Sequence, residues 1–292
     1  MNKALFALLL GLAALGAAGA AAFVRFGMYD IAATSSHTGI VYSLLETTMR
    51  YAVQRRAADL VPPPLDDPQR VAHGAACYRA HCVQCHGGPG VAQDDIGKSL
   101  QPLPGPLVDA VRRWQPAEVY WITRHGIKMS GMPAWEVRLS DADLWAVTAF
   151  VNRLPALSPA DYRDTMAAVA GDTCPSASQA CTGDGPCDRP TADLAPVRPR
   201  DTDARARLVL AQYACSTCHR VPDVVGPDTD VGPPLDDLAR RGTLGNGLPN
   251  TRDHLIRWIQ DPRRLDPHTA MPDLGVTDAH AGMMADYLLK PR

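Results

Sequence analysis

Two five-residue strings constrain this chain more than anything else in it: Cys82-Val83-Gln84-Cys85-His86 and Cys215-Ser216-Thr217-Cys218-His219. Both read C-x-x-C-H, the attachment signature of c-type haem. The spacing has a physical reason. Two cysteines one helical turn apart share a face and can bond the two vinyl groups of one porphyrin. The histidine beside the second cysteine then reaches the iron as its proximal ligand. A lone C-x-x-C also serves redox dithiols and half zinc sites, but two copies, each followed by histidine, leave those alternatives little room.

A second axial donor is needed on the opposite side of each iron. Met132-Pro133 follows the first motif and Met271-Pro272 the second. Proline after such a ligand pre-sets an extended loop that presses the thioether onto the metal. Met129 is the local rival of Met132, whereas Met283 and Met284 fall in the last periodic segment and are expected to pack. His81, next to Cys82, is expected at the surface. His73, His125, His254, His268 and His280 read as structural or solvated. His125 is the best exception, because it neighbours the methionine loop and could tune it.

The N-terminus carries Lys3, runs uncharged from Ala4 to Val24, and meets Arg25. A membrane span needs about 20 apolar residues, and a signal-peptide core only about 7–15, so the length favours a retained anchor. The small residues between Ala17 and Ala22 keep a cleaved signal peptide open. Either reading exports the rest of the chain to a compartment that tolerates disulfides. Cys77, Cys174, Cys181 and Cys187 lie outside the motifs and allow three pairings, with disulfides stapling a linker as the first expectation.

The 292 residues suggest roughly two domains. Charge is nearly balanced, 29 Lys+Arg against 31 Asp+Glu, which argues against a nucleic-acid binder. Aromatic residues are only 6%, thin for two cores unless a large cofactor helps to fill them. Residues 1–27 read as the anchor or signal peptide. Residues 28–67 read as a helical neck, with Ile40, Val41, Leu44, Leu45 and Met49 at helical spacing and Pro62-Pro63-Pro64 as its stop. The first compact unit is expected over 68–158, with helices from about Gln69 to Tyr78, from Pro116 toward Gly126, and from Ser140 to Leu154. Ser140 and Asp143 make a capping-box-like start to the third of these. Residues 159–203 read as a Cys-containing linker, open to proteases. Residues 204–292 repeat the first plan, with helices over 204–214, Asp253 to Gln260 and Thr277 to Leu289. An internal duplication of one small helical domain is the simplest account. The expected fold class is mainly α.

Each half resembles a class I c-type cytochrome, and residues 68–290 resemble exported, often membrane-anchored, dihaem cytochromes c. The first half carries the family-like string His125-Gly126-Ile127-Lys128-Met129-Ser130-Gly131-Met132-Pro133-Ala134-Trp135. The second carries Gly232-Pro233-Pro234-Leu235, similar to the loop whose proline carbonyl faces the ligand histidine. The resemblance implies that Gly74 and Tyr78 of the leading helix meet Trp145 or Phe150 of the final one. In the second half Ala206 is the nearest small residue to the usual glycine. Trp258 stands where family members often approach a haem propionate, with simple core packing equally open.

The resemblance and the motifs together imply two covalent haems c. Cys82, Cys85, Cys215 and Cys218 would attach them, with His86/Met132 and His219/Met271 as axial pairs. His/Met iron has no open position for substrate, and it gains and loses one electron. The expected role is therefore electron transfer at the periplasmic side of a bacterial inner membrane. The expected partners are a quinol-oxidising complex, a dehydrogenase, a terminal oxidase or another cytochrome. The alternatives are the cytochrome subunit of a periplasmic dehydrogenase, and a dihaem peroxidase-like enzyme, which needs one displaceable ligand.

Overall fold

The computed structural model describes residues 2–174, 202–224, 231–269 and 271–291. It is mainly helical, with no strand among the described residues. Helix α1 spans Lys3–Arg25 and buries none of its residues. It is the one described helix long and apolar enough to cross a membrane.

Helix α2, Gly39–Ala57, is the neck. The helical spacing read in the sequence is that of this helix. Ile40, Leu44 and Leu45 are exposed, whereas Val53 and Ala57 near the other end are buried. Helix α2 lies against α4, Pro116–His125, and the residues it buries are Val53 and Ala57.

The first unit is built on the crossing of α3, Pro68–His81, and α5, Asp141–Arg153. Helix α3 starts where Asp67 accepts from the Gln69 N–H and Pro68 occupies the first turn. Helix α5 starts at a reciprocal cap between Ser140 and Asp143. Gly74 sets how closely they approach: a Cβ there would lie 1.9 Å from the Ala146 carbonyl oxygen. Of the two aromatic partners anticipated for Tyr78, Phe150 is the one it meets, with ring centroids 5.3 Å apart. Trp145 instead stacks on Tyr120 of α4 at 4.0 Å.

This first core extends past residue 158, into the stretch read as linker. Helix α6, Pro159–Ala168, carries Tyr162 into the core at 1% exposure, and Val169 and Cys174 follow it. Cys174 is disulfide-bonded to Cys77 on α3. The sequence held the signal: Ser158-Pro159-Ala160-Asp161 is another reciprocal cap with proline in the first turn, like Ser140 and Asp143. Cys181 and Cys187 lie outside the described residues.

The second unit has its own core. Helices α7, Thr202–Gln212, α8, Arg252–Gln260, and α9, Asp278–Leu288, bury Ala206, Val209, Leu210, Leu255, Ala281, Met284 and Ala285 together. Met284 is fully enclosed and Met283 packs beside it, as their helical positions suggested. His280 is buried and bonded to the Tyr213 hydroxyl at 3.1 Å.

Candidate haem-attachment sites

In the first unit, Cys82 caps α3 and opens a single helical turn over Val83–His86. The His86 N–H donates to the Cys82 carbonyl at 2.9 Å, so Cys82, Cys85 and His86 face one way. Gly87 ends the turn at φ +61, where a side chain is strained, and a Cβ there would sit 2.4 Å from the Val91 oxygen. The Tyr78 hydroxyl donates to the Gly87 carbonyl at 2.7 Å, pinning this turn to α3.

His86 Nδ1 faces the Gly105 carbonyl at 2.9 Å. A carbonyl only accepts, so Nδ1 carries the proton and Nε2 keeps its lone pair. Burial holds the imidazole below its usual range, with the Gly105 contact opposing, so the ring is neutral near pH 7. Both are properties a metal-ligating histidine needs. Burial, helped by Cys85, pushes the Cys82 thiol up to about 12.

The second site repeats these features with different supports. Cys215–Thr217 form a tight turn entered through Ala214 at φ +58, and the His219 N–H donates to the Cys215 carbonyl at 3.0 Å. His219 Nδ1 faces the Pro233 carbonyl at 2.8 Å, the contact that the Gly-Pro-Pro-Leu resemblance implied. Gly232 permits it, because a Cβ at 232 would lie 2.4 Å from the imidazole. The Gly232 N–H donates to the Cys218 carbonyl at 2.7 Å, which closes loop and motif together. Burial pushes the Cys215 thiol up to about 11. The Tyr287 hydroxyl of α9 donates to the Pro222 carbonyl at 2.8 Å, the counterpart of the Tyr78 tie.

The methionine loops also match. The Met132 N–H donates to Ser130 Oγ at 3.1 Å, and the Met271 N–H donates to Thr269 Oγ1 at 3.2 Å. In the first loop Gly126, at φ +66, lets the chain fold back, since a Cβ there would sit 2.7 Å from the Met132 carbonyl oxygen. Met132 is half-buried, whereas Met129 stands at φ +63 and 90% exposed.

Other candidates land in structural positions. His73 Nε2 pairs with Asp143 at 2.7 Å, and His254 Nδ1 faces the Pro249 carbonyl at 2.9 Å. His81, expected at the surface, is half-buried with its ring 4.8 Å from that of Trp135. Trp258 lies against Gly245, where a Cβ would meet the ring edge at 2.7 Å. The sequence reading missed Glu136. Its side chain is 2% exposed and lies 2.8 Å from His125 Nδ1. Only its place just after Met132-Pro133-Ala134-Trp135 hinted at a role.

The donor set fits a covalently held haem. Cys77 and Cys174 are disulfide-bonded to each other, and Cys82, Cys85, Cys215 and Cys218 are in no disulfide, so each C-x-x-C could form two thioether bonds. Each motif histidine has its non-ligating nitrogen satisfied.

Residues 69–151 match the family model described as Cytochrome C oxidase, cbb3-type, subunit III. The first unit is thus a c-type cytochrome domain, a haem-containing electron-transfer module whose haem c is covalently attached. The matched span includes Cys82, Cys85, His86 and Met132 and stops short of the second motif. No solved structure matches the chain.

Proposed function

We propose that this chain is a membrane-anchored dihaem cytochrome c that passes single electrons between a respiratory donor and an oxidase or other acceptor. The observation that carries the reading is the repetition of one arrangement at two sites. In each, a C-x-x-C-H turn has its histidine Nδ1 bonded to a loop carbonyl, and a later Met-Pro has its methionine N–H bonded to a hydroxyl two residues back.

Haem c would supply the reversible one-electron change at iron. The chain's own residues do the rest. Cys82 and Cys85 would hold one haem and Cys215 and Cys218 the other, each S–H adding across a vinyl group to give a thioether. Gly105 and Pro233 hold the tautomer of His86 and His219 that presents Nε2 to the metal. Met132 and Met271 would each supply a thioether donor, which raises the potential relative to other partners. With both positions filled, substrate has no place to bind, which favours a carrier over a peroxidase.

Helix α1, uncharged from Ala4 to Val24 and with none of its residues buried, supports tethering to the bilayer. Lys3 and Arg25, its first and last residues, are consistent with the remaining chain lying on the periplasmic side of a bacterial inner membrane. If α1 is instead removed as a signal peptide, the protein is soluble in the periplasm. The donor fits a quinol-oxidising complex or a periplasmic dehydrogenase; the acceptor fits a terminal oxidase or another cytochrome.

The test is haem stoichiometry. The full chain, matured in a host that attaches haem c, should carry two covalent haems, both low-spin. Replacing Cys82 and Cys85 with Ala should leave one. One haem in the unaltered chain, or a high-spin resting centre, would overturn the reading.

A further inference from the structure

The segment that follows Met132-Pro133 leaves the first unit and enters the second. Val137 is 3% exposed and belongs to the core of the second unit, beside Ala206, Val209 and Tyr213. Arg138 donates from Nη2 to the Gln212 carbonyl at 2.8 Å, and its guanidinium lies 4.4 Å over the Tyr213 ring. Glu136 is held from both sides. His125 Nδ1 lies at 2.8 Å and Arg124 Nε at 3.6 Å from α4, and Arg205 Nη1 of α7 reaches it at 3.3 Å.

A carboxylate that is 2% exposed is costly to bury unless it is well paired. Arg205 completes that pairing and belongs to the other unit. The patch joins two functional stretches. Glu136 is four residues beyond Met132; Gln212 ends α7, and Tyr213 follows it two residues before Cys215.

We propose that Glu136, Val137 and Arg138 clamp the second unit onto the methionine loop of the first, so that electrons pass between the two sites at one fixed geometry rather than by encounters of tethered beads. Each transfer moves one electron: one iron goes from ferrous to ferric and the other from ferric to ferrous, with no proton or bond exchanged. The inference rests on the dihaem reading. It replaces the picture of two separable units that the composition of the linker suggests.

The test uses the full-length, haem-loaded chain, with haem count and low-spin spectra checked first. One site is reduced rapidly by a light-triggered donor, and the approach to redox equilibrium between sites is followed in buffers of increasing viscosity. The native chain should show one exponential phase, independent of viscosity and of protein concentration. Arg205→Ala and Arg138→Ala should keep both haems and both spectra, lose the single phase and become viscosity-dependent; Arg205→Lys should recover much of the native behaviour. Calorimetry provides a readout independent of haem chemistry. The two units should unfold in one transition in the native chain and in two in the alanine variants. Viscosity-dependent exchange in the native chain, or alanine variants indistinguishable from it in both measurements, would overturn the clamp. A native chain with only one haem would instead sink the dihaem reading and the electron-exchange half of the proposal, and the calorimetry would still decide the clamp.

Discussion

Gly74 of α3 and Ala146 of α5 touch backbone to backbone: a Cβ on residue 74 would stand 1.9 Å from the Ala146 carbonyl oxygen. The two helices that frame the first site therefore approach as closely as they do only because residue 74 has no side chain.

Gly74→Ala should force α3 and α5 apart. Overpacking of this kind costs about 1–3 kcal/mol. Chemical denaturation of the haem-loaded protein, followed by circular dichroism, should show that loss. Unchanged stability would mean that the crossing relaxes freely.

Met132 and Met129 should behave differently although they are three residues apart. Met132 is half-buried with its N–H bonded to Ser130, whereas Met129 projects into solvent. Met132→Ala should change the spectrum and lower the potential of the first centre, while Met129→Ala should leave both as they are. The reverse result would reassign the ligand.

The Cys77–Cys174 disulfide ties α3 to the chain leaving α6 across 97 residues of sequence. Loss of a bridge closing a loop of that size typically costs about 2–5 kcal/mol. Cys77→Ser with Cys174→Ser should lower the melting temperature and open residues 159–174 to hydrogen exchange first. The covalent haem of the first unit should remain, because the motif cysteines play no part in this bridge.

His73 and Asp143 form a pH-dependent tie between the same two helices. The Asp143 hydrogen bond raises His73 above its ordinary 6.5; burial opposes the rise. Burial would raise Asp143, but hydrogen bonds from His73 and Ser140 outweigh it and leave the carboxyl below its ordinary 3.8. The His73 contribution is therefore complete below pH 6.5 and is lost as pH rises through its folded value. The Asp143 contribution is complete above pH 3.8 and is lost as pH falls through its folded value. Stability from the pair should peak between those limits, and His73→Ala should remove the alkaline-side decline. Because the His73 side chain is 41% exposed, the effect should be small. Melting temperatures measured from pH 5 to 9 check it.

Much of the first site was legible in local order along the chain. A C-x-x-C-H turn, Pro116 in a first turn, the Ser140–Asp143 cap and a methionine before proline all act within a few residues, where spacing and hydrogen-bonding capacity decide the outcome. Helix α6 was equally local, and its Ser158–Asp161 cap was overlooked because the residues beyond it look like linker. The spacing of Ile40, Leu44 and Leu45 marked a helix, and α2 is one, but it did not show which part of that helix packs. Periodicity marks an apolar face but not whether anything lies opposite; α2 packs on α4 and buries Val53 and Ala57, while Ile40, Leu44 and Leu45 stay exposed.

What the sequence by itself determined was local: which cysteines and histidines come together in each C-x-x-C-H turn, and which residues cap the helices around them. Tertiary structure alone decided the long-range pairings. Cys174 meets Cys77 rather than Cys181 or Cys187, Phe150 rather than Trp145 meets Tyr78, and Glu136 faces Arg205 from the other unit. Residues 69 to 97 positions apart come together only when apolar surface closes over both cores, and no short pattern in the chain records which partner that closure brings.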